Sequence, residues 1–191
     1  DYYSEWFWFA YHNKCWVNTW NNDGKRDDAK IYPSEIDTII KQAEEYLGEL
    51  INNTVFKLLP GRKQAELLAW GAMSALPENS THVTSLIDAL HFRRGIQNMR
   101  VLDMEFEIPI PAHPDDPSKP DWTVCQKAWW TVISNIYKRK DAPMRVTLEM
   151  RIMGDSKIIM APQFGNSYGT CSIEVLTNLN VPSEEWLEFM Q

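Results

Sequence analysis

The chain is poor in the features that most often disclose a function. It has no block of basic residues: 19 Lys and Arg stand against 26 Asp and Glu, a net charge of −7. Such a balance repels phosphate backbones, so no nucleic acid partner is expected. No apolar run approaches the roughly 20 residues that span a bilayer, so no transmembrane segment is expected. Three cysteines, Cys15, Cys125 and Cys171, are odd in number and far apart. They fit neither a disulfide framework nor a zinc pattern, and free or buried thiols are expected. The four histidines, His12, His82, His91 and His113, lack ligand spacing, so no metal is expected. Also missing are G-x-G-x-x-G, the Walker loop, H-E-x-x-H, G-x-S-x-G and C-x-x-C. The chain opens on Asp1 and stops in mid-helix pattern at Gln191, and it reads as a piece of something longer.

What is present is globular. Hydrophobic residues make up 44% of the 191 positions and nine are tryptophan, enough for one sizeable core with thick aromatic packing. The runs "EWFWFAY" and "KCWVNTW" predict a β-hairpin joined around His12-Asn13. Ser34 can cap a helix through "EIDTIIKQAEEYLGELI", whose apolar residues recur at helical spacing. "RKQAELLAWGAMSAL" predicts a second helix that stops at Pro77, and "THVTSLIDALHFRR" a short one. "PAHPDDPSKPD" is expected to be a loop that proline keeps out of any sheet. "WTVCQKAWWTVISNIYKRK" predicts a helix with a basic last turn, and a final helix starts at Ser183. The layout predicted is α+β: an antiparallel sheet of about five or six strands with helices packed on one face.

The chemistry lies in the alternation of three strands. In "MRVTLEMRIMG", Arg145, Thr147, Glu149 and Arg151 alternate with Val146, Leu148, Met150 and Ile152. Successive strand residues point to opposite faces, so Glu149 and Arg151 share one. "MRVLDMEFEIPI" does the same with Asp103, Glu105 and Glu107, and "GTCSIEVLT" with Ser172 and Glu174. If these strands are neighbours, their polar groups meet on one surface. A carboxylate held beside a guanidinium stays oriented and suits a proton acceptor, and arginine is a permanent donor fork for an anionic intermediate. An E-x-R pair on a strand is more commonly a solvated ion pair. Trp6, Trp8, Trp16, Trp20, Trp129 and Trp130 are expected to be core and helix packing rather than a ligand box.

An ordered series of these stretches resembles the C-terminal substrate (cap) domain of FAD-dependent oxidases of the vanillyl-alcohol oxidase superfamily. The nearest subgroups are the sugar-lactone and alditol oxidases and type II cholesterol oxidase. The series runs from the aromatic hairpin "EWFWFAYHNKCWVNTW" through "MEFEIP" and "VTLEMRIMGDSKIIMAP" to "CSIEVLT" and a terminal helix. Ala10 replaces the family's usual proline, and the histidine of the alditol oxidases is missing from "CSIEVLT". The resemblance implies an apolar strand over "SKIIMAP". It implies that Glu149 and Arg151 are catalytic and face the flavin, with Glu105, Ser172 and Glu174 as substrate contacts.

It further implies that this is a single substrate-binding domain over 1–191, whose FAD is bound mainly by a domain absent from the chain. The substrate expected is a small alcohol or lactone: the tryptophans favour a bulky, sterol-like alcohol, the acidic strands a polyol or sugar lactone. Two other readings stay open. One is a non-catalytic α+β module that binds a ligand or a protein. The other is an enzyme complete in this chain, for which no nucleophile–base pair can be found.

Overall fold

In the computed structural model, residues 3–32, 56–76, 79–89 and 100–191 are described. The architecture is α+β, with a five-stranded antiparallel sheet, a second sheet of two strands and four helices among the described residues. The strands are β1 (Tyr3–Phe9), β2 (Trp16–Trp20), β3 (Val101–Pro109), β4 (Ala112–His113), β5 (Asp116–Pro120), β6 (Thr147–Met153) and β7 (Thr170–Asn178). The helices are α1 (Gly61–Ala75), α2 (Leu86–Ala89), α3 (Thr123–Lys138) and α4 (Ser183–Phe189). The large sheet has the order β2-β1-β6-β7-β3, which places β6 at its centre.

The predicted alternation sets the two faces. Leu148 of β6, Ile173 and Val175 of β7 and Trp8 of β1 are buried under α3, which contributes Cys125, Ile133 and Ile136 from one stripe. Ala65 of α1 and Trp186 of α4 complete this core. Asp121 secures the start of α3 by accepting a hydrogen bond from the Thr123 backbone N–H at 3.0 Å. The opposite face carries the polar partners of the same strands.

The first hairpin, β3, α1, α3, β7 and α4 fall where the periodicity puts them. The helix expected after Ser34 lies outside the described residues, and His91 and Pro77 lie there too. Beyond it, Phe56–Leu58 is a 3₁₀ turn. Four expectations fail. The "PAHPDDPSKPD" stretch forms the β4–β5 hairpin, with Ala112 opposite Pro120 and His113 opposite Asp116. Both strands of a two-stranded sheet are edges, so a proline without an N–H can face outward.

The stretch "SKIIMAP" forms no strand but a series of turns, with Ser156 bridging to Phe164. Ile158, Ile159 and Met160 are 69%, 78% and 90% exposed there, although hydrophobicity alone would bury them. The tryptophans also divide: Trp8 and Trp186 are core, whereas Trp6 and Trp130 are exposed.

Arg145 leaves the alternating pattern as well. It precedes β6, and its guanidinium is buried against the Ala142 carbonyl at 3.0 Å and Gln64 of α1 at 3.1 Å. Its neighbour across that joint, Gly61, admits no side chain, because a Cβ would stand 2.4 Å from the Asp141 carbonyl oxygen.

The β6–β7 connection gives a test of the backbone. Gly169 has φ +96° and a Cβ there would lie 2.5 Å from the Met153 carbonyl oxygen, while Gly165 has φ +78° and open space. Gly165→Ala is expected to cost about 1–2 kcal/mol from the left-handed backbone alone. Gly169→Ala should cost clearly more, since the β6–β7 ladder must shift; urea unfolding of the two variants measures the difference.

Candidate functional site

The polar face converges on Arg151. It occupies the middle of β6, opposite Glu5 of β1 on one side and Ser172 of β7 on the other. Its Nη2 donates to Glu149 Oε2 at 2.7 Å, its Nη1 to Glu174 Oε2 at 2.5 Å and its Nε to Glu5 Oε1 at 3.3 Å. Glu105 Oε1 on β3 lies 3.6 Å from Nη1. One guanidinium therefore holds four carboxylates drawn from four strands.

The register explains why. Glu149 stands directly across the ladder from Glu174, and Glu174 directly across from Glu105. Side chains of directly opposed residues come within about 5.5 Å, so three glutamates form a row across the sheet. Like charges in such a row repel unless a cation lies among them. Ser172, which is fully buried, donates its hydroxyl to Glu105. Asp103 and Glu107 continue the acidic line along β3.

The other flank is aromatic. Phe7 packs on Trp16 with ring centroids 5.4 Å apart, and Tyr3 on Trp20 at 5.0 Å. Between these two pairs lie Glu5 and Asn18, opposed in the β1–β2 register. Tyr3 also donates its hydroxyl to Glu5 Oε1 at 3.1 Å. The face thus presents a charged centre, an aromatic margin on β1–β2 and an acidic margin on β3.

Burial and crowding perturb the titration of this cluster. Burial pushes the Glu149 carboxyl up to about 8, the Glu174 charge adds to the rise, and Arg151 opposes it. Glu174 is raised as well, chiefly by burial, with Arg151 again opposing. Asp103 and Glu107 are raised by burial and then by Glu105. Burial pulls the Arg151 guanidinium down, but Glu149, Glu174 and Glu5 more than reverse this, so it is held above its ordinary range. The two shifts agree once counted: Arg151 faces four anions, whereas Glu149 faces a single cation and its fellow carboxylates.

All five residues expected from the sequence meet on one surface. Glu149 and Arg151 are in contact, but Glu174 and Ser172 are engaged with Arg151 and Glu105 respectively rather than standing open. Sequence reasoning passes over Glu5, the carboxylate on the Nε edge. The available signal was its place in "YSEWFWF", a lone charge on an aromatic strand facing the same way as Tyr3 and Phe7. Among the described residues no group of His, Cys, Asp or Glu has the arrangement of a metal site. His12 and His113 accept backbone hydrogen bonds from Lys14 and Asp115, and His82 stacks on Tyr32. All three cysteines are free, with Cys125 and Cys171 buried. Among the described residues no helix is long and apolar enough to cross a membrane.

Comparison of the chain with protein-family models, curated proteins and solved structures returns no match.

The raised Glu149 carboxyl has a consequence for stability. Its folded value of about 8 lies above the ordinary 4.5, so the native state holds a proton that the unfolded chain releases. That contribution is complete below about pH 4.5 and is lost as pH rises through about 8. Stability is expected to fall by on the order of 2–4 kcal/mol between pH 5 and pH 8. Glu149→Gln, neutral at every pH, should flatten most of that decline in urea titrations followed by circular dichroism.

Proposed function

We propose that this chain is the substrate-binding domain of a FAD-dependent oxidase that oxidises a C–OH group, with Glu149 and Arg151 at the reacting hydroxyl. The observation that carries this reading is the pairing of a largely buried carboxylate near 8 with a guanidinium at 2.7 Å, in the centre of a sheet face turned away from the core. A carboxylate tuned toward neutrality is what proton abstraction from an alcohol requires, and such perturbed groups concentrate at functional sites.

The residues suit one part of the cofactor. The aromatic pairs on β1–β2 offer flat apolar surface, and Arg151 offers permanent positive charge beside it. Among the described residues the only basic strand residue on this face is Arg151, so the pyrophosphate would be held by the separate FAD-binding domain that the sequence resemblance implies. When bound, FAD supplies an acceptor for the hydride of the alcohol carbon. Glu149, once ionised, takes the hydroxyl proton.

Arg151 has five N–H groups, and the hydrogen bonds to Glu5, Glu149 and Glu174 use three of them. A remaining Nη2 N–H can donate to the substrate oxygen while the same nitrogen holds Glu149. Glu105, half-exposed on β3, is the carboxylate of the cluster best placed to accept a further substrate hydroxyl.

Expression of the whole open reading frame that contains this chain tests the proposal. A yellow protein is expected that consumes oxygen with an alcohol or lactone substrate. Its kcat/KM should climb with pH through about 8 as Glu149 ionises. Arg151→Ala should lower kcat/KM by about 10²–10³, the usual loss when one preorganised charge contact is removed. A colourless protein, or an Arg151→Ala variant within about threefold of the parent, would leave the non-catalytic binding module as the reading.

A further inference from the structure

We infer that Glu174 and Glu5 are positioning residues that clamp Arg151 by its Nη1 and Nε edges and so aim its Nη2 edge at Glu149. The inference rests on the proposed reaction for its purpose and revises the part given to Glu174, from a substrate contact to a support.

An arginine head carries its donors on a rigid planar fork, so fixing two edges fixes the third. Glu174 holds Nη1 at 2.5 Å and Glu5 holds Nε at 3.3 Å, from strands on opposite sides of β6. The two carboxylates are themselves held. Glu5 accepts the Tyr3 hydroxyl at 3.1 Å, and Glu174 sits in register between Glu149 and Glu105. Side-chain exposure of 11% for Glu5 and 14% for Glu174, against 41% for Glu105, separates the two more enclosed supports from the open member of the set. A long arginine side chain in the centre of a sheet has several flexible torsions before its planar head. Without supports on both flanking strands it would swing between carboxylates on either side.

The clamp also shapes the field at Glu149. The charged and titratable groups that face it are Tyr3 and Glu5 from β1, Arg151 from its own strand, Glu174 from β7 and Asp103 from β3. Glu105 completes the row beyond Glu174. Removing the Glu174 charge takes away the anion that opposes Glu149 most strongly, whereas removing its hydrogen bond to Nη1 unfixes the Nη2 donor. The first change favours the ionised Glu149 carboxylate and the second disfavours it.

The test uses the 191-residue chain with ¹³C-labelled glutamate side chains. The Glu149 carboxyl signal is identified by its disappearance in Glu149→Gln, and its titration is followed by NMR. In Glu174→Gln, which loses the charge but keeps an acceptor for Nη1, the midpoint is expected to fall by about one pH unit or more. In Glu174→Ala, which loses the acceptor as well, the midpoint is expected to lie clearly above that of Glu174→Gln. A support with a merely structural part would lower the melting temperature and leave the two midpoints equal. Equal midpoints in folded Glu174→Gln and Glu174→Ala chains overturn the inference. Where the alanine variant fails to fold, equal midpoints in Glu5→Gln and Glu5→Ala do so. No flavin enters the measurement, so a colourless whole protein would defeat the oxidase reading and leave this result standing.

Discussion

The attraction between the Arg151 guanidinium and the carboxylates of Glu5, Glu105, Glu149 and Glu174 is the constraint around which the polar face of this sheet is arranged. Four like charges from four strands meet there, and without a cation among them the central strands could not pair in this register. The pairing is not a simple gain in stability. Desolvating an ion costs several kcal/mol, and a half-buried cluster recovers that cost only through well-directed hydrogen bonds. Arg151 supplies three of these from one rigid head. The remaining imbalance, one cation against four anions, falls on Glu149, which answers it by holding a proton into the neutral range.

The two faces of the sheet depend on each other through that register. A slip of one residue between β6 and β7 would send Glu149 and Arg151 into the helices and Leu148 and Met150 into the cluster. Burial of Leu148, Ile173 and Val175 under α3 therefore does more than stabilise the fold: it fixes which side chains reach Arg151. The glycine at 169, which lets the β6–β7 connection close against the Met153 carbonyl, serves the same register.

Much of this was legible because period-two and period-3.6 patterns are local. β3, β6 and β7 declared their polar faces, and α3 its buried stripe, within stretches of seven to sixteen residues. What stayed hidden was non-local. Nothing in "YSEWFWF" states that β1 lies beside β6, a strand more than 130 residues later, so Glu5 could not be joined to Arg151 from sequence. Exposure was equally hidden. Ile158, Ile159 and Met160 look like a buried strand, but they fall in a connection already closed by turns, with no sheet edge to receive them. The β4–β5 hairpin misled in the other direction, since proline excludes a strand only where its missing N–H must be paired.

The placement of the cluster at the centre of the sheet bears on what the face can do. An ion pair on an edge strand is hydrated from the side and screened, which leaves a carboxylate near its ordinary value. On β6, with two strands on each side, water reaches Glu149 only from above the face, and its neighbours in every lateral direction belong to the protein. Fixed groups then replace solvent as the medium that stabilises or opposes its charge, which is the condition under which a side chain's affinity for a proton can be set by sequence. The strand that makes this possible comes late in the chain, yet it pairs with β1 from the beginning. The proton-holding property of Glu149 therefore belongs to the assembled sheet and to no single motif within it.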